Sequence, residues 1–209
     1  KVIVNVCGHA EEEYLNVVDR LAEEKGVDLL EINISCPNVK EGGISFGTDP
    51  KGVEHITKVI KEHAKQPVIM KLSPNVTSIA EIAKAAEAGG ADLVSLINTI
   101  TGMKIDTRRR KFVLANKTGG MSGPAVHPVA VRMVYEVAQA VKIPIIGMGG
   151  VETANDALEM ILAGASAVSV GTANFGNPTA TIDIIEGIER FMIEEGVSDI
   201  HELIGAVHE

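Results

Sequence analysis

The residues best equipped for chemistry concentrate at one point. Asn33, Ser35, Cys36 and Asn38 fall within six residues at the end of the apolar run Asp28 to Ile34. Pro37 cannot donate to a sheet ladder, so the strand stops there. A thiolate is the nucleophilic, proton-accepting form of cysteine. Side-chain amides both donate and accept, which suits a flat heterocycle with amide and imide edges. A cysteine is more often a small buried hydrophobe, but its polar neighbours argue against that here. The segment that follows, from about Val39 to Thr48, is rich in glycine. It is expected to act as a lid over the cysteine, excluding water.

Other apolar runs also end in polar or glycine residues. In order these are Asn5, Lys71, Asn98-Thr99, Gly149-Gly150 and Gly171-Thr172. A lysine at a strand end offers a fixed positive charge for an electron-rich ring or a phosphate. Glycine pairs are weak signals alone, since glycine ends helices and turns everywhere. Here they follow two successive strands and lead into helices, where backbone N–H groups can cradle a phosphate. Cys7 and Cys36 are the only cysteines, too few for a disulfide framework or a metal cage. The six histidines (His9, His55, His63, His127, His201, His208) show no ligand spacing, and no chemistry is assigned to them or to Cys7. The run Arg108-Arg-Arg-Lys111 reads as a solvated hairpin tip, at a subunit contact, rather than a nucleic-acid patch. The chain carries a net charge of −9 and the run has no interleaved aromatics.

Alternating elements must position these groups. Strands are expected at Lys1–Val6, Asp28–Ile34, Pro67–Leu72, Ala91–Ile97, Pro144–Met148 and Ser166–Val170. Helices are expected at Glu11–Lys25, from Asp49-Pro50 to about Lys65, from a Ser78/Glu81 capping box to Gly89, at Pro128–Val141, from Thr153 to Gly164, and at Pro178–Glu195. A short helix near Asp199 to Ile204 closes the chain, and Asn98–Gly123 reads as a hairpin or ordered loop. The strands are apolar on both faces, as in a parallel sheet covered by helices. Paired glycine turns after the last two strands favour a closed barrel. No Gly-x-Gly-x-x-Gly follows the first strand, against the open dinucleotide fold. The fold class is therefore α/β, a (β/α)8 TIM barrel with about six of the eight β-α units present. Residues 1–209 are expected to form a single domain, with about two units missing at the N-terminus. No apolar run reaches the roughly 18 residues of a membrane span, and a cytoplasmic location is expected.

At this point the segments themselves resemble a family. Asn33-Ile-Ser-Cys-Pro-Asn38, Lys71-Leu-Ser-Pro-Asn75, Ile97-Asn98-Thr99, Ala115-Asn-Lys-Thr-Gly-Gly-Met-Ser-Gly-Pro124, Ile146-Gly-Met-Gly-Gly150 and Val170-Gly-Thr172 resemble the dihydroorotate dehydrogenases. Their wording is closest to the NAD-linked class 1B catalytic subunits. The resemblance covers essentially the whole chain. It implies an FMN-containing (β/α)8 barrel that oxidises dihydroorotate to orotate in pyrimidine biosynthesis. It implies Cys36 as the general base acting on ring carbon 5, with hydride passing from the neighbouring carbon to FMN. An unperturbed thiol ionises near pH ~8.5, so the rate should rise with pH until the thiolate is formed. Asn33, Asn38, Asn98 and Thr99 are implied as substrate contacts. Asn5, Asn33, Lys71, Ile97, Gly123, Gly149, Gly150, Gly171 and Thr172 are implied as FMN contacts, the glycines and Thr172 around its phosphate. The resemblance further implies a homodimer and an electron-transfer subunit carrying FAD and a [2Fe-2S] cluster. Three rivals stand beside this: a fumarate-linked class 1A enzyme, another pyrimidine-directed FMN oxidoreductase, and an inactive barrel fragment.

Overall fold

The computed structural model describes residues 1–35 and 47–207. Cys36, Asn38 and all but the last two residues of the expected lid lie outside them. Strands β1 (Ile3–Cys7), β2 (Leu29–Asn33), β3 (Val68–Lys71) and β4 (Leu93–Leu96) alternate with helices α1 (Glu11–Leu21), α2 (Pro50–His63) and α3 (Ile79–Ala88). Four short strands follow: β5 (Ile100–Met103), β6 (Ile105–Asp106), β7 (Lys111–Phe112) and β8 (Thr118–Met121). The alternation then resumes with α4 (His127–Ala138), β9 (Ile145–Met148), α5 (Ala154–Leu162), β10 (Ala167–Ser169), α6 (Ala173–Gly176) and α7 (Ala180–Glu195).

Six strands form one parallel sheet in the order β1-β2-β3-β4-β9-β10. They make an arc of six strands of a (β/α)8 barrel, with β1 and β10 at its edges. Successive strand residues face opposite ways. Val6, Leu30, Ile32, Val68, Met70, Val94 and Leu96 belong to the buried core shared with the helices. The alternate residues form rows on the other face. One row pairs Asn5 with Glu31 and Glu31 with Ile69. The next runs Cys7, Asn33, Lys71, Ser95, Ile146, Ala167 across all six strands. Polar residues therefore gather on the concave side, at the C-terminal ends of β1 to β3, where barrel enzymes bind their ligands.

Local chemistry explains most element boundaries. Asp49 caps α2, its carboxylate accepting from Gly52 N at 2.9 Å, with Pro50 in the first turn. Thr153 and Asp156 form a reciprocal capping box on α5. Ser78 departs from the expected box: it accepts from Glu81 N, but the Glu81 carboxylate turns to Lys84 Nζ at 2.9 Å. Helix α1 ends at Leu21, four residues before the expected Lys25. Between Ala22 and Lys25 there is no apolar position to bury, and Glu23-Glu24 would put negative charge at the negative helix end. The expected hairpin is a two-tier antiparallel ribbon, β5 on β8 and β6 on β7. The basic run occupies its tip.

Candidate active site

Nine of the expected site residues line one cavity of about 230 Å³: Lys71, Asn98, Thr99, Gly149, Gly150, Gly171 and Thr172, singled out by type, and Ile97 and Gly123, implied by the resemblance. They arrive from the ends of β3, β4, β9 and β10 and from the turn before α4. Gly149 and Gly150 have φ of +128° and +68°, left-handed values that favour glycine. A Cβ on Gly150 would meet the Gly123 carbonyl oxygen at 2.5 Å and His127 Cβ at 2.9 Å. At Gly123 and Gly171 nothing lies within 4 Å of where a Cβ would stand. Both glycines line the cavity, so backbone rather than side chain borders it there, an arrangement that suits a phosphate. Among the other lining residues, Ser122 belongs to the Ala115–Pro124 segment but has no role in the sequence reading. Its hydroxyl accepts from Thr172 Oγ1 at 3.0 Å, fifty positions away, which closes the rim of the cradle.

A second cavity of about 800 Å³ shares Asn98 and Thr99 with the first. Its walls include Ser35, Ser73 and Asn75 at the ends of β2 and β3, and Thr118 to Gly120 of the ribbon. Asn98 Nδ2 donates to Asn33 Oδ1 at 3.1 Å, and Asn98 Oδ1 accepts from Thr99 N at 2.7 Å. These bonds fix both amides at the junction of the cavities. Asn75 was quoted only as part of a motif, yet it anchors this wall. Its Nδ2 donates to the Thr99 carbonyl and its Oδ1 accepts from Thr101 N, both at 3.0 Å.

Asn33 and Asn5 line neither cavity directly. Asn33 reaches the junction through Asn98, and its Nδ2 faces Cys7 Sγ at 3.6 Å. Asn5 Nδ2 donates to Glu31 Oε2 at 2.5 Å. Cys7 is the last residue of β1, exposed and free, rather than lying past the strand end.

His127, set aside in the sequence, packs beneath the cradle. Its Nδ1 is 3.0 Å from the Gly149 carbonyl, which can only accept, so Nδ1 carries a proton. Nε2 makes no hydrogen bond but stands 3.4 Å from Glu159 Oε2 and 3.9 Å from Asp156 Oδ1, within ion-pair range. Partial burial pushes the Asp156 carboxyl upward. The Glu152 and Thr153 N–H groups, the Thr153 hydroxyl and the nearby His127 charge outweigh it, so its pKa lies below the ordinary carboxylate value. A depressed folded pKa adds stability that is complete above the unfolded value, about 3.9, and is lost as pH falls through the folded value. The melting temperature of wild type should therefore exceed that of Asp156→Asn at pH 6, and the gap should narrow in melts below pH ~4. A gap that stays constant down to pH 3 would contradict the linkage.

A family model described as dihydroorotate dehydrogenase matches residues 1–192. The chain belongs to the dihydroorotate dehydrogenase family. Two bacterial relatives are named dihydroorotate dehydrogenase B (NAD(+)), catalytic subunit. The one from Lachnoclostridium phytofermentans is 70% identical over 207 residues, covering 99% of this chain and 69% of the relative. The one from Alkaliphilus metalliredigens is 61% identical, covering 99% of this chain and 68% of the relative. A dihydroorotate dehydrogenase crystal structure from Eimeria tenella, solved in complex with ferulenol, matches in fold with a TM-score of 0.77 at 22% identity. It covers 96% of this chain and 58% of that one. Among the described residues, no helix is long and apolar enough to cross a membrane.

Proposed function

We propose that the chain oxidises dihydroorotate to orotate in pyrimidine biosynthesis, as the FMN-containing catalytic subunit of an NAD-linked enzyme. One observation carries the reading: the glycine cradle and the amide-lined cavity meet at Asn98 and Thr99. That junction would set a phosphate-bearing cofactor against a ring held by amides. Gly123, Gly149, Gly150, Gly171 and Thr172 would hold the FMN phosphate. Lys71, Ile97 and Asn5 would border its ring system, with Asn33 between ring and substrate. The fit rests on the cradle itself, where Gly123 and Gly171 leave room that a side chain would fill. When bound, FMN supplies the acceptor for the hydride.

The remaining work falls to the chain. Asn33, Asn38, Asn98 and Thr99 would grip the substrate ring and carboxylate. Cys36 would take the proton from ring carbon 5 as the hydride leaves the adjacent carbon. Asn75 would hold the Thr99 wall in place, and Tyr14 would steady the strand end by donating from its hydroxyl to the Asn33 carbonyl at 2.8 Å. Residues 1–209 would act in the cytoplasm as a single FMN-binding barrel domain lacking roughly the first two of its eight β-α units.

The names of the relatives favour NAD over fumarate as the route for electrons, and "catalytic subunit" speaks for a second, electron-transfer subunit. FAD and a [2Fe-2S] cluster are proposed on that partner. A homodimer is supported by the ribbon, which exposes Met103, Ile105, Phe112 and Leu114 beside Lys104, Arg108, Arg109, Arg110 and Lys111, on a chain of net charge −9. Charge attraction draws such a ribbon to the acidic remainder of a second copy. Adding dihydroorotate to the FMN-loaded protein without oxygen is expected to bleach the flavin absorbance, and NAD with the partner subunit to restore it. Flavin that stays yellow defeats the functional reading. A monomer mass by light scattering defeats the dimer.

A further inference from the structure

Glu31 is a charged side chain inside the barrel that the proposed chemistry leaves unused. It sits mid-strand in β2 and is only 9% exposed. Three other strands each send it a donor. Asn5 of β1 and Lys71 of β3 donate to Oε2, at 2.5 and 3.1 Å, and the Ser95 hydroxyl of β4 donates to Oε1 at 2.7 Å. Both carboxylate oxygens are occupied and the charge is paired. Burying an ion pair costs several kcal/mol of hydration per ion, and apolar side chains of similar size often replace such pairs without loss. The next residue in its register row, Ile69, shows that an apolar side chain serves at this level of the barrel. Packing alone therefore does not account for a carboxylate here.

We propose that Glu31 is the positioning residue and counter-charge of Lys71, and that it sets the net charge a bound flavin meets at the inner end of the cofactor cavity. This rests on the FMN reading above. Lys71 lines the cavity, and its ammonium swings on a long flexible stem. The Glu31 bond holds that ammonium at one place, with both side chains under one-fifth exposed. Charges so little hydrated are poorly screened. An unopposed ammonium would stabilise the extra negative charge of reduced flavin, and Glu31 offsets that pull.

The test is Glu31→Gln in the full-length protein, read by flavin redox equilibration against a reference dye. Glutamine keeps the size and an acceptor for Ser95 but removes the charge. At a fixed ambient potential the ratio of reduced to oxidised flavin should rise at least tenfold, about 30 mV for a two-electron couple. A role in packing alone would lower FMN retention or melting temperature and leave the ratio for the bound flavin unchanged. That outcome overturns the proposal. Wild type that takes up no FMN overturns the cofactor reading and this inference together, and it does so before any substitution is made. If Glu31→Gln does not fold, the pairing is read from stability. Lys71→Gln strands the buried carboxylate, so it should melt below Glu31→Gln/Lys71→Gln, and the opposite order overturns the pair.

Discussion

Gly150→Ala is expected to lower FMN affinity more than a hundredfold. Two costs combine. An alanine at φ +68° pays the left-handed penalty of roughly 1–2 kcal/mol. Its Cβ would also stand 2.5 Å from the Gly123 carbonyl oxygen, which forces the cradle apart at a further cost of about 1–3 kcal/mol. Neither group can swing aside cheaply, because one is backbone and the other is the Cβ of His127 at the start of α4. About 3 kcal/mol is a little over two powers of ten in affinity. Titrating the apoprotein with FMN and following fluorescence quenching measures it. Gly26→Ala is the control, since nothing lies within 4 Å of its Cβ and its φ is ordinary. Equal affinities for the two variants would show that this turn is not the phosphate cradle.

Cys36→Ser should slow dihydroorotate oxidation by roughly 10²–10⁴, the span that a positioned base contributes. The flavin spectrum and FMN affinity should stay as in wild type, because the proposed phosphate contacts lie on other strands. Wild-type rates should climb with pH toward the ordinary thiol value of about 8.5, and the serine variant should lose that climb. Single-turnover flavin reduction, measured from pH 6 to 10, separates this from an effect on product release. A serine variant with the wild-type rate and pH profile would remove Cys36 as the base.

The architecture was legible where its causes are local. Alternating apolar runs and helical spacing located the six strands and the helices between them, and Asp49-Pro50 and Thr153/Asp156 marked helix starts through side chains a few residues away. Failures came where distance in sequence hides the cause. Four-residue α6 is too short to show a period. Ser122 looks like any loop serine until Thr172 is placed beside it. Glu31 reads as one polar residue in a strand, because its partners Asn5, Lys71 and Ser95 are 26, 40 and 64 positions away. His127 showed no ligand spacing, and its contacts with Gly149, Asp156 and Glu159 exist only after α4 packs beside α5. The cavity glycines were legible because the types themselves are informative. Glycine after a strand signals a backbone that must turn or be approached closely.

The wall shared by the two cavities limits how this site can be altered. Asn98 and Thr99 face both spaces, so on the proposed assignment a substitution at either position would change cofactor hold and ring recognition together. Gly123 and Gly171 border only the first cavity, and Asn75 and Thr118 only the second. Two traits can be tuned apart at those outer positions and nowhere on the common wall. On that assignment, divergence toward a new ring substrate would have its open route through the ribbon and the β3 end, with Asn98 and Thr99 constrained by both proposed occupants.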